Sequence, residues 1–560
     1  MTSGALSSVS AVVEHVFDRY PQVARRAGRH DFDGRLPEVA PDSPAVLDGL
    51  LAAVTGHLDA LPRDADPELR ADLGTAARVL TDERFRITGA GRTHRGPDAW
   101  LAETDLHIYL RGEYAPLDER IGALSRHLGA LPDFLAATAS TLGRTLPAGE
   151  RIGGVENARA RAVSVRNLVT RLVATRPELA DGPLMERAGR ASAAFTGFAD
   201  AVAATQPARA VLGPELLAAY LEAAEGVDTP VDELLAEAEA EVRNLTARLD
   251  ALSARLGAST RQELYGLLSA RLPEGSVTGT LARIIDRLHG FWAEQDVVTL
   301  TGTQRLDIRP VRDLSTSAVV VFDTGGPLEK VPQPHVLHVP EPRDPAALRD
   351  YLNEPMLEMI AVHEVLPGHF LHHEATPGHA GLIRRCVPWF PGVTEGWAHY
   401  TEELAIERGL AEDRPLVEVA ALRFALEAAT RLLVFLSVHA GRSKFGAAAA
   451  EAATLCAWSP ERAGREVLAT AAQPARAMYT LGKLHIRRWR ELSGAGAPAA
   501  GPKAFHDRLV RAGSAPLSVV RQYCLDDRSD GSHGGDSGDS RDSRSGHPSN
   551  DSSVSHATAS

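Results

Sequence analysis

The chain has 560 residues, 44% of them hydrophobic, and a formal net charge of −13. Such a length and apolar content suffice for a large buried core, or for two or more domains. No basic block offsets the acidic balance, which argues against nucleic acid and anionic membrane as partners. Cys386, Cys456 and Cys524 are odd in number and far apart. That spacing fits no disulfide framework and suits a reducing cytoplasm, with each thiol buried as a structural group. No apolar run approaches the roughly eighteen residues of a membrane span.

The first twenty residues lack a basic leader and a long apolar core. Val12, Val13, Val16 and Phe17 have helical spacing, so a first helix is expected rather than a signal peptide. Residues 44–290 are mostly amphipathic helices rich in Ala, Leu, Arg and Glu. The clearest runs over 230–256. Thr229 and Asp232 suggest a capping box, Pro230 suits the first turn, and Gly257 a stop. Its Leu and Val repeat at 3,4 spacing, as a packing helix within the fold requires. His94 and His107 in 92–114 are expected to be hydrogen-bonded or exposed. The glycines of 149–160 lack the lysine and preceding strand of a phosphate loop, and predict an ordinary loop.

The pattern changes near residue 297. Segments 306–311, 318–323 and 335–340 are short, β-branched and bounded by Gly or Pro, and read as strands. An edge strand here could pair with an extended substrate backbone, or the sheet could be purely structural. His335 and His338, three apart on a strand, face opposite sides and make a poor metal pair.

The next stretch, NEPMLEMIAVHEVLPGHFLHHE (353–374), carries His363, Glu364, His369, His372 and His373. EGWAHYTEE (395–403) then adds Glu395, His399, Glu402 and Glu403. A metallohydrolase needs two imidazoles on one face and a carboxylate nearby as base. Metal-binding histidines on a helix are commonly four apart, but His369 follows His363 by six. On a regular helix six residues turn through roughly 600°, which points the two rings apart. Pro367 and Gly368 can break the helix and bring them back to one side. His369 with His373 is a second four-apart pair, and His399 is a rival ligand. Glu402, seven residues after Glu395, shares its face and could orient a ligand imidazole. Trp397 and Tyr400 read as packing residues.

Residues 415–455 are helical again. Arg423, Arg431 and His439 recur every eight residues, and one or two of them are expected to line a cleft. The 481–492 helix, with Lys483 and His485, reads as a solvated face. The tail 526–560 has seven Asp against three Arg and almost no apolar residue, and is expected to be disordered.

His-Glu-x-x-Pro-Gly-His followed by Glu-Gly-Trp-Ala-x-Tyr-x-Glu resembles the domain-of-unknown-function family 885. Those bacterial proteins are regarded as zinc-peptidase-like and distantly similar to the thimet oligopeptidase and carboxypeptidase Taq group. GRHDFDGRLPEV near the start, VLGPELLAAYLEAAEGVDTPVDELLAEAEAE in the middle, and ATRLLVFLSVHAGR, QPARAMYTLGK and AFHDRLVRAGSAPLSVV near the end resemble the family too. The resemblance implies a mainly α, multi-helix, zincin-like metallopeptidase architecture with a small β-sheet beside the metal helix. Its regions would be a helical one over 1–296 and a catalytic zinc region over 297–525, joined in one globular unit. It implies His363, His369 and Glu395 as zinc ligands, Glu364 as general base, and Tyr479 and His439 as groups steadying the oxyanion. The family usually has Gln in place of His372, and Asp-Thr-Gly where this chain reads Phe435-Leu436-Ser437. The expected activity is zinc-dependent hydrolysis of peptide or amide bonds in the cytoplasm. The alternatives are a metal-dependent tailoring enzyme for a small amide metabolite and a metal-free helical scaffold.

Overall fold

Val12, Val13, Val16 and Phe17 form the buried face of helix Thr2–Arg19, as their spacing predicts. The computed structural model describes residues 2–40, 43–91, 96–208, 211–311, 320–342, 345–376, 381–387, 390–494 and 502–525. Expectations for His94, for positions 318–319 and for the tail 526–560 lie outside these residues. The fold is mainly α with small sheets. Met1–Leu525 form one compact unit. Among the described residues no helix is long and apolar enough to cross a membrane. All three cysteines are free and buried.

Helix Val231–Leu256 buries its 3,4 stripe against the long apolar helix Pro415–His439, inside the largest core. Gly257, at φ +73, ends it in the left-handed conformation expected of a stop. The capping box is not made. Pro230 is the residue before the first turn, and no side chain caps that end. Residues 149–160 are also not a loop but part of helix Ala148–Thr175. Its glycines serve packing: a Cβ at Gly149 would lie 2.1 Å from the Leu468 carbonyl oxygen. They allow close backbone approach, a use of glycine that composition does not separate from a turn.

The small sheet has His335–Pro340 at its centre, parallel to Leu306–Val311 and antiparallel to Val321–Asp323. His335 and His338 do point to different partners. His335 Nε2 lies 2.7 Å from Glu374 Oε1, and His338 Nε2 lies 3.0 Å from Asp323 Oδ2.

After the sheet comes helix Glu354–Glu364, capped by the Asn353 side chain, which accepts from the Met356 N–H at 3.2 Å. Met356, Leu357, Met359 and Val362 sink into the largest core and leave no freedom of roll. A tight turn follows, and then helix His369–Ala375. Helix Pro391–Glu407 packs on Ala475–Leu492 with glycine against glycine. A Cβ at Gly396 would meet Gly482 Cα at 2.7 Å, and one at Gly482 would meet the Gly392 oxygen at 1.7 Å. The closeness of this crossing brings Tyr479 to Glu395. Lys483, one residue past the crossing, is not on a solvated face. It is wholly buried, 2.7 Å from Glu241 and 3.2 Å from Glu403. Two carboxylates make that burial tolerable.

Candidate metal centre

The turn Val365–Gly368 decides the geometry. Gly368 sits against the end of the preceding helix, where a Cβ would fall 1.7 Å from the His363 carbonyl oxygen. Its own N–H donates to the Val362 oxygen at 3.0 Å. Two buried indoles fasten the turn from either side. Trp292 Nε1 donates to the Leu366 oxygen at 2.9 Å, and Trp397 Nε1 to the Pro367 oxygen at 2.8 Å. Trp397 therefore packs, as expected, and also holds the turn.

The break brings the two imidazoles to one place. The His363 and His369 ring centroids are 4.8 Å apart, and their planes are nearly perpendicular. Glu395 Oε2 lies 3.6 Å from His363 Nε2 and 3.4 Å from His369 Nε2. Among the described residues this is the one cluster whose ligand atoms lie close enough to share a metal, all within 4.8 Å of one another. Glu395 Oε2 is buried and has no hydrogen-bond partner, so two imidazole nitrogens and an unsatisfied carboxylate oxygen converge on a common point. That donor set fits a zinc ion. The rivals lie elsewhere: His373 rests beside His335 and Phe322, and His399 turns Nδ1 to Glu402 Oε2 at 3.2 Å.

Glu402 stands behind the cluster. Its Oε1 is 2.7 Å from His363 Nδ1. Burial opposes its charge, but His399 and His363 hold its carboxyl down at about 2. An ionised carboxylate only accepts, so His363 donates from Nδ1 to Glu402, which leaves Nε2 as the ring atom that would face a metal.

Glu364 and Tyr479 line a cleft of about 830 Å³ together with His363, His369 and Glu395. Burial raises the Glu364 carboxyl above its ordinary range against the pull of His369 and His363. Tyr479 stacks parallel to His363 at 5.9 Å. Burial, then the Glu395 carboxylate beside it, keep its phenol protonated well above its ordinary value. His372 and His373 also line the cleft, and burial lowers them to about 4 and about 3, leaving both neutral.

His439 is not brought to this cleft. Its Nδ1 accepts from the Leu212 N–H at 3.3 Å and its Nε2 donates to the Ala471 oxygen at 3.0 Å, so the ring is fully used in bracing the fold. Arg423 and Arg431 do not line it either; they pair with Asp350 and Glu427 and with Glu466. The N-terminal region contributes to the lining instead, through Arg25, Arg26, His30, Arg111 and Tyr114, as does Val321–Asp323. Residue spacing gave no role to this part of the lining. Its one signal in the sequence is the opening segment GRHDFDGRLPEV, which contains His30.

Fold and site together define a large, mainly helical protein with a His-His-Glu cluster lining a cleft. The chain belongs to the family described as bacterial protein of unknown function (DUF885), which it matches over residues 21–523. No curated protein matches the sequence at a significant level. Among solved structures it is similar to a candidate lipoprotein of unknown function from Shewanella oneidensis, at 19% identity and TM-score 0.73. That match covers 92% of this chain and 99% of the other. A candidate lipoprotein from Colwellia psychrerythraea matches at 15% identity and TM-score 0.72, covering 93% and 98%. The M32 carboxypeptidase of Deinococcus radiodurans R1 matches at 13% identity and TM-score 0.41, covering 92% and 95%.

Proposed function

We propose that the protein is a zinc-dependent hydrolase of peptide or amide bonds. The observation that carries this reading is the convergence of His363, His369 and Glu395 beside Glu364 in the lining of the cleft. A zinc ion bound there supplies Lewis acidity, polarising a carbonyl and lowering the pKa of water toward about 7. Glu364 takes the proton of the attacking water and delivers it to the leaving amine, as a general base turned general acid. Tyr479, protonated and in the cleft lining, donates a hydrogen bond to the oxyanion of the tetrahedral intermediate. Glu402 fixes the tautomer of His363. The cleft is large enough to admit an extended peptide, so a peptide or small amide is the proposed substrate. The three free, buried thiols support a cytoplasmic location.

Metal analysis and a peptide-library cleavage screen test the reading. About one zinc per chain is expected in the wild type, and His363→Ala or Glu395→Ala removes it. Glu364→Gln keeps zinc and fold but loses about 10²–10⁴ in turnover, because an amide cannot accept the proton. Tyr479→Phe also keeps zinc and loses about 10²–10³. Zinc retained in both ligand variants, or wild-type turnover in Glu364→Gln, would overturn it.

A further inference from the structure

Away from the metal centre, the cleft wall built by the N-terminal region gathers positive charge. Arg25 and Arg26 close the short helix Pro21–Ala27, and Arg111 closes helix Ile108–Arg111. All three line the cleft. Two carboxylates serve this wall. Asp105 lies 3.4 Å from Arg26 and 3.9 Å from Arg111, and Asp323 pairs with Arg111 and with His338. Arg161 draws on Asp105 as well, and burial together with Arg26 and Arg111 lowers its pKa. Arg26 and Arg111 thus share Asp105 and Asp323, while Arg161 draws on Asp105 and Asp98.

Arg25 is the independent sign of a missing anion. It is 1% exposed, yet among the described residues no carboxylate pairs with it. Its two terminal nitrogens donate to the Arg35 and Glu103 carbonyl oxygens at 2.8 and 3.1 Å. Its Nε is buried with no partner. A buried guanidinium held only by carbonyls leaves its charge uncompensated, which is costly unless an anion shares the site. Arg26 beside it is half exposed, with a side chain open to the cleft. A planar guanidinium takes a carboxylate through two parallel N–H bonds.

We propose that Arg25, Arg26 and Arg111 form an anion subsite of the cleft, which holds a carboxylate of the substrate while the scissile bond lies at the metal centre. Arg26 makes the direct contact, and Arg25 and Arg111 supply the field behind it. The subsite restricts substrates to those bearing a carboxylate, at a chain end or on a side chain. It rests on the hydrolase reading only in calling its ligand a substrate.

Three N-acetylated tripeptides test it by titration calorimetry: tri-alanine with a free carboxylate, tri-alanine amide, and alanyl-glutamyl-alanine amide. Binding is measured on zinc-loaded and on EDTA-treated protein, so that coordination by the metal is separated from the arginines. At least one carboxylate peptide is expected to bind about tenfold or more tightly than the neutral one in both states, and to weaken with salt. The carboxylate peptide that gains identifies its source as chain end or side chain. Arg26→Gln should abolish the difference at an unchanged melting temperature, and Arg26→Lys should restore part of it. Equal binding of the three peptides, no binding of any, or a difference that persists in Arg26→Gln would each overturn the subsite. Cleavage of the same peptides is scored separately. An arginine-dependent preference without cleavage removes the hydrolase reading and leaves the subsite. Cleavage without preference does the reverse.

Discussion

Glu402 does its work without reaching the cleft. At 2.7 Å from His363 Nδ1 and 3.2 Å from His399 Nδ1, it is a buried charge that both rings engage. Removing its charge leaves the three proposed ligands in place but frees His363 to turn or to shift its proton. Glu402→Gln is therefore expected to weaken zinc binding by about 10–100-fold, as losses behind a ligand imidazole do. Competition with a chelator of known affinity measures it, and unchanged affinity would show that His363 is oriented by packing alone. The seven-residue spacing of Glu395 and Glu402 put both on one helical face, so this partner was legible. His439 was not: a histidine in an apolar helix gives no sign of whether its ring faces a cleft or a backbone carbonyl.

The turn between the two histidine-bearing helices is where an element-level change would do most. Alanine at Gly368 would drive a Cβ to 1.7 Å from the His363 oxygen, and no flexible side chain is there to yield. The backbone must move, and His363 with it. Gly368→Ala is expected to cost about 1–3 kcal/mol or more in urea unfolding and to lower zinc content at the same time. Gly189, inside helix Pro183–Ala204 with nothing near its would-be Cβ, is the matching control. There Gly189→Ala is expected to stabilise by about 0.4–1 kcal/mol. If the two variants behave alike, contact at the turn is not what fixes its shape.

Across the whole molecule, the N-terminal region is clamped to the cleft rim. The Leu328 N–H donates to the Ala27 oxygen at 2.7 Å, and Gly28, at φ +98, abuts the Glu329 backbone. His30 closes the joint: it stacks on Tyr114 at 3.5 Å and lies 3.1 Å from Glu329 and 3.4 Å from Asp33. Burial opposes its charge, but hydrogen bonds to Asp33 and Glu329 prevail and raise its pKa from 6.5 to about 9. A pKa raised on folding stabilises fully below the unfolded value and is lost as pH climbs through the folded one. Wild-type stability should therefore fall between pH 6.5 and about 9 more steeply than that of His30→Gln. Urea midpoints across that window measure it, and parallel curves would exclude His30 as the titrating group.

What the sequence determined by itself is what local periodicity and short motifs encode. Val12 to Phe17 announced a helix, the β-branched runs at 306–311 and 335–340 announced strands, and the His and Glu groups of 363–373 and 395–403 raised the expectation of a metal centre, of which the structure brings together His363, His369 and Glu395. Even the need for a break at Pro367–Gly368 followed from the angle that six residues turn on a helix. Tertiary structure decided what local pattern does not carry. It made the 149–160 glycines points of helix contact, buried Lys483 between two carboxylates, and took His439 out of the cleft. It also set His30 against Glu329, 299 residues away, and brought Arg25, Arg26 and Arg111 into the lining of the same cleft as the His-His-Glu cluster. The physical reason is one of range. A side chain's spacing fixes which face of its own element it occupies, while its charge state and partners depend on what another part of the chain brings to that face.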